Sequence, residues 1–191
     1  LPFSTTKNQD NSHCIPDCLG IDDVVKESTT KKKCFLIGKG PSLDKIEEIA
    51  SEDGIRICIN DTYRYVNNPD YIFLHDAFFE KLLPDMKNVN ATLVLPTILN
   101  QYGKQLSTRG YISGFMDDIR LAFYSKIDLP PFFSMKNIVE NVINLPNTLI
   151  GLSSTAHSAI WFAKKLGCET IVFVGMDGRS VDGRIYSIKY D

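Results

Sequence analysis

The chain has 191 residues, 43% hydrophobic and 23% charged, a balance that fits one globular domain and excludes a disordered, collagen-like or disulfide-rich chain. Its 21 basic and 23 acidic residues leave a formal net charge of −2, which argues against a nucleic-acid partner held by its phosphates and toward a small-molecule ligand. No apolar run approaches the roughly 20 residues of a membrane span. Five cysteines, odd in number and three of them in apolar stretches, suit a reducing, cytoplasmic setting.

Residue 1 is Leu and no charged-then-apolar leader precedes the domain, so the chain is expected to be processed or cut from a longer one. Residues 1–33 hold only nine apolar residues and end in Lys31-Lys32-Lys33. Such a stretch is expected to be a polar extension that wraps the domain or is partly mobile, because it buries too little apolar surface to offset its ordering entropy. The run His13–Cys18 offers no second Cys/His pair, so no metal site is expected there.

The domain is expected over residues 34–191. Cys34–Ile37 is a wholly apolar run ending at Gly38, as in a parallel strand buried on both faces. After Gly38-Lys39-Gly40-Pro41-Ser42, the apolar residues Leu43, Ile46, Ile49 and Ala50 keep helical spacing, with Ser42 able to cap. Ile55–Ile59 and Tyr71–Leu74 are the next strands, so the unit reads as right-handed βαβ crossovers. A helix over Ala77–Met86 and a strand over Ala91–Leu95 follow. Residues 96–146, interrupted by glycines and Pro130-Pro131, are expected to be an irregular excursion over the sheet edge, with short helices at Met116–Tyr124 and Met135–Ile143. A helix over Ser154–Leu166 and a strand over Thr170–Val174 close the pattern. The fold class this predicts is α/β: a Rossmann-like, mainly parallel central sheet flanked by helices, with an irregular insertion in the middle.

Five polar segments fall at strand ends, where open α/β sheets bind ligands. Gly38-Lys39-Gly40-Pro41-Ser42 lets a ligand approach backbone and offers a helix N-terminus to phosphate, although it is neither a Walker A loop nor the three-glycine dinucleotide turn. Asn60-Asp61 can meet a ribose or base, and His75-Asp76 ends the next strand. Ser153, Ser154 and Thr155 open a helix and can cap it or hold a phosphate oxygen, while His157 reads as core or cap. Gly175-Met176-Asp177-Gly178-Arg179 offers Asp177 to a sugar hydroxyl and Arg179 to a phosphate. Each segment has a plain structural reading as a tight turn, an Asx turn or a cap.

Taken together, Gly38–Leu43, Asn60, His75-Asp76, Ser153-Ser154-Thr155, Leu166-Gly167 and Gly175-Met176-Asp177 resemble the bacterial family-42 sialyltransferases. They are similar also to the archaeal 6-hydroxymethylpterin diphosphokinases, which share the Gly-x-Gly-Pro-Ser-Leu turn and the late Gly-x-Asp. The resemblance runs from about Cys34 to Asp177 with a poorly matched middle. It implies a metal-independent transferase that moves a sugar from a CMP-sugar to a glycan or other hydroxyl acceptor, with the turn at Gly38–Ser42, Asn60, Ser154, Thr155, Gly175 and Asp177 around the nucleotide. By the same resemblance Tyr186 stabilises the leaving phosphate.

The chain departs from that family at Lys39 (Asn in the family), at Leu152 (Arg) and at Gly178-Arg179 (an aromatic pair). The family's general-base histidine lies further past the last matched strand than this chain extends. The base is then His75 or Asp76, or lies in further sequence, or the protein binds without turnover. A pyrophosphokinase would instead use magnesium, with Asp76 and Asp177 as ligands. A silent nucleotide-binding module is the third reading. Self-association is left open.

Overall fold

A computed structural model describes residues 18–28, 32–75, 83–86, 88–101, 104–107, 119–128, 145–151 and 154–177. Strands β1 (Cys18–Gly20), β2 (Lys33–Ile37), β3 (Ile55–Ile59), β4 (Tyr71–Phe73), β5 (Thr92–Pro96), β8 (Leu121–Asp128) and β10 (Thr170–Val174) form a sheet in the order β1-β8-β5-β4-β3-β2-β10. Every pairing in it is parallel. β9 (Thr148–Gly151) adds to the second half of β8, and β6 (Ile98–Gln101) with β7 (Lys104–Ser107) forms a separate antiparallel pair. The helices are α1 (Ile21–Glu27), α2 (Leu83–Met86) and α3 (Thr155–Lys165). This is the α/β, Rossmann-like, mainly parallel sheet that the sequence predicts.

Alternation along each strand divides two cores between the two faces. Phe35, Ile37, Cys58, Ile72, Leu74, Leu93, Leu95, Leu121 and Phe123 point to one face. Their neighbours Cys34, Leu36, Ile57, Phe73, Val94, Ala122 and Tyr124 point to the other, under α1 and α3. Burial on both faces is why these strands read as unbroken apolar runs.

The segment after β2 is a 3-10 helix over Pro41–Ile49. Its buried residues Leu43, Ile46 and Ile49 recur every third position, and three residues per turn stacks them on one side. Ala50, included in the expected helical stripe, is exposed. α3 ends in a Schellman turn: Gly167, at φ 78, donates its N–H to Lys164 O, and Cys168 N–H reaches Ala163 O.

Two expectations are corrected. Inside the segment read as a polar extension, β1 pairs with β8 and α1 buries Ile21 and Val24. The nine apolar residues there are not spread evenly; five of them fall within Leu19–Val25 and Cys18, enough for one short strand and one short helix. Asp22 anchors this unit: its carboxylate accepts from Asn147 N–H at 2.8 Å and from Lys165 Nζ at 3.0 Å, while Asn147 Oδ1 accepts from Asp22 N–H. In the middle segment, Leu121–Tyr124 belongs to β8 inside the sheet rather than to a helix over Met116–Tyr124. Leu121, Ala122, Phe123 and Tyr124 are all buried, so the run lacks the alternation that marks a strand. The helix expected at Ala77–Met86 is described only over Leu83–Met86, and the one at Met135–Ile143 lies outside the described residues.

Candidate functional site

From β2 the chain adds β3, β4 and β5 on one side and then returns to place β10 on the other, so the order reverses between β2 and β10. In open α/β sheets the carboxyl edge at such a reversal is where ligands bind. The turns after β2 and β10 meet there. Gly38 N–H donates to Val174 O at 2.8 Å and Gly40 N–H to Gly175 O at 2.7 Å. Ser42 donates to Asp177 Oδ2 from its backbone N–H (2.9 Å) and its hydroxyl (3.0 Å), and that hydroxyl accepts from Gly175 N–H at 2.8 Å.

This clasp gives the glycines a definite reason. A Cβ on Gly40 would lie 2.5 Å from Asp177 Oδ2, and one on Gly175, which sits at φ 66, would overlap Gly38 O. The close approach they permit is that of the second turn on the first. The cap of the 3-10 helix is likewise not Ser42, as its position suggests: Gly40 is the N-cap residue, and the Asp177 carboxylate reaches across to the Ser42 N–H.

Beside the clasp, Lys39 Nζ lies 4.0 Å from Asp61 Oδ1, with the side chains 42% and 25% exposed. A pair this long and this exposed adds little to stability. Asn60 holds φ 56, a left-handed turn that short polar side chains tolerate, directly after β3. Behind it the buried Thr62 Oγ1 lies 3.0 Å from both Ile37 O and Ile59 O, joining the ends of β2 and β3. Thr62 has no signal in the sequence beyond its place two residues into the turn. Cys58, beneath, is pushed up to about 12 by burial and is no nucleophile at ordinary pH. His75 follows β4, half-buried, beside the Leu74 N–H to Val94 O bond.

The first turn of α3 enters from the same edge. Ser154, its N-cap residue, makes no side-chain bond to the helix backbone; its Oγ lies 3.0 Å from His157 Nδ1. Thr155 is buried, and Ser158 Oγ is fully buried with no hydrogen-bond partner. Of the residues singled out by the sequence, Gly38, Lys39, Gly40, Pro41, Ser42, Gly175 and Asp177 are brought together directly, with Asp61 beside Lys39. Asp76, Ser153, Arg179 and Tyr186 lie outside the described residues. Among the described residues no cluster of three His, Cys, Asp or Glu side chains could hold a metal ion, and no helix is long and apolar enough to cross a membrane.

The class that fold and site define is a Rossmann-like α/β domain whose polar strand ends converge where the strand order reverses. Comparison with protein families and with curated proteins returned no match.

Proposed function

We propose that the chain is a sialyltransferase-like glycosyltransferase that binds a nucleotide sugar, a CMP-sugar by resemblance, and transfers the sugar to a hydroxyl acceptor. The observation that carries this reading is the meeting of the β2 and β10 turns at the reversal of strand order, with Lys39 beside them. In this reading the Lys39 ammonium faces the donor phosphate, Asn60 and Asp61 face its ribose, and the backbone at Gly175 lies under the base. Asp177 acts chiefly by holding the two turns together, since its Oδ2 is already engaged twice by Ser42. Proton transfer from the acceptor falls to a group at the same edge, for which the sequence nominates His75 or Asp76.

Calorimetry with CMP, UDP and ATP, each with and without magnesium, tests the reading. CMP is expected to bind without metal, and Lys39→Ala to weaken it roughly ten- to hundredfold by removing a charge-assisted contact. ATP binding that requires magnesium would turn the assignment to a pyrophosphokinase. A chain that binds none of the three is not a nucleotide enzyme.

A further inference from the structure

The β2 and β10 turns are clasped to each other, but Asn60 and Asp61, the ribose contacts of the proposed reading, stand on a third turn, after β3. The Lys39–Asp61 pair does not fix that turn, because at 4.0 Å and partly exposed it contributes little. Thr62 is placed differently. Its side chain is fully buried, and its Oγ1 lies 3.0 Å from Ile59 O within its own turn. The same atom lies 3.0 Å from Ile37 O, at the end of β2. A hydroxyl has one proton to give, so the two carbonyls share it, and the Cys58 thiol reaches the same group from beneath. In this buried setting no water competes for the bond.

The Ile37–Gly38 peptide shows where this hold acts. Its carbonyl accepts from Thr62 on the β3 side, while its N–H donates to Val174 O at 2.8 Å on the β10 side. A peptide group is planar, so holding both of its polar atoms ties the three strand ends to one rigid unit. The next residue, Gly38, opens the turn that carries Lys39 and Ser42 into the clasp. We infer that Thr62 is the positioning residue of the ribose contacts, holding the Asn60-Asp61 turn in register with the clasp; this rests on the nucleotide-sugar reading above. Being fully buried, Thr62 touches no ligand and acts through its neighbours Asn60 and Asp61. The register it sets lets a nucleotide meet its phosphate and ribose partners together. A nucleotide without ribose hydroxyls gains nothing from that register, so the hydroxyl of Thr62 becomes a determinant of sugar selectivity in the nucleotide.

The experiment compares the affinities of CMP and 2′,3′-dideoxy-CMP by calorimetry. Wild type is expected to prefer CMP by about tenfold, the worth of a well-placed hydrogen bond. Thr62→Val, which keeps the shape and removes the hydroxyl, should bind the dideoxy nucleotide within about twofold of wild type and lose most of the tenfold preference for CMP. Thr62→Ser, which keeps the donor, should restore the preference. A merely structural role would weaken both nucleotides alike. Should Thr62→Val fail to fold, amide exchange in wild type decides: CMP should slow exchange at Asp61 and Thr62 by at least about tenfold, and the dideoxy nucleotide should not. A preference that survives in Thr62→Val, an equal loss for both nucleotides, or a wild type without the preference overturns the inference, while CMP binding keeps the broader reading intact. Absence of CMP binding in wild type overturns both.

Discussion

At the scale of single residues, the glycines at the carboxyl edge answer to geometry within the chain. Gly175 combines a left-handed φ of 66 with a Cβ direction that points into Gly38 O, so any side chain there meets both torsional strain and overlap with backbone. Gly175→Ala is expected to lower stability by more than about 2 kcal/mol, read by urea denaturation, because backbone cannot move aside as a flexible side chain would. Ser42→Ala keeps the backbone path and removes only the hydroxyl that serves Gly175 and Asp177, so its cost should be about 1–3 kcal/mol. A loss for Gly175→Ala no larger than that for Ser42→Ala would show that the two turns can part. The glycine turn was legible in the sequence, but its partner was not: Ser42 and Asp177 stand 135 residues apart, and no local pattern links them.

At the scale of elements, the strands over 33–37, 55–59, 71–73, 92–96 and 170–174 were legible because continuous apolar runs bounded by turn residues leave little else for them to be. β8 escaped for the same cause in reverse. Leu121-Ala122-Phe123-Tyr124 is equally apolar, yet Leu and Ala also suit helices, and the preceding Met-Asp-Asp-Ile segment extends a helical spacing into it. β1 and α1 escaped because their neighbours are polar, and averaging over residues 1–33 diluted a short apolar cluster.

The tie that holds α1 makes a pH prediction. Burial alone would raise the Asp22 pKa, but the Asn147 N–H and Lys165 together outweigh it and bring it below 3.8. A depressed folded pKa gives stability that is present above the unfolded value and is lost as pH falls through the folded one. Asp22→Asn should therefore be less stable than wild type near pH 7 by up to about 1 kcal/mol, a figure kept small because the side chain remains partly open to solvent. The gap should close in acid, below pH 3.8. Thermal melts of both proteins across that range check the sign, and a gap that widened in acid would contradict it.

At the scale of the whole molecule, two cores share one sheet, and the thiols of Cys34, Cys58 and Cys168 are buried within them. Each ionises with more difficulty than a free thiol, burial being the main cause. For Cys58 the folded value is about 12 against an ordinary 9.0, so the unfolded chain ionises first and stability should fall as pH rises through that interval. Under native conditions at pH 8 these three thiols should resist iodoacetamide and label only at the rate of global unfolding, as mapped by peptide mass spectrometry. Prompt labelling of Cys34 or Cys168 would mean that the face under α3 opens by itself.

The clasp between the β2 and β10 turns also sets an order of events. β2, β3, β4 and β5 are neighbours in sequence and in the sheet, so a chain emerging from a ribosome can pair them one after another. β1 emerges before them yet must wait for a partner that begins at Leu121. The clasp waits longer, because Asp177 is made after every described strand of the sheet. A nascent chain halted before that residue would own most of a scaffold but lack the carboxylate that takes both hydrogen bonds from Ser42. The clasp should therefore close abruptly, once Asp177 has emerged.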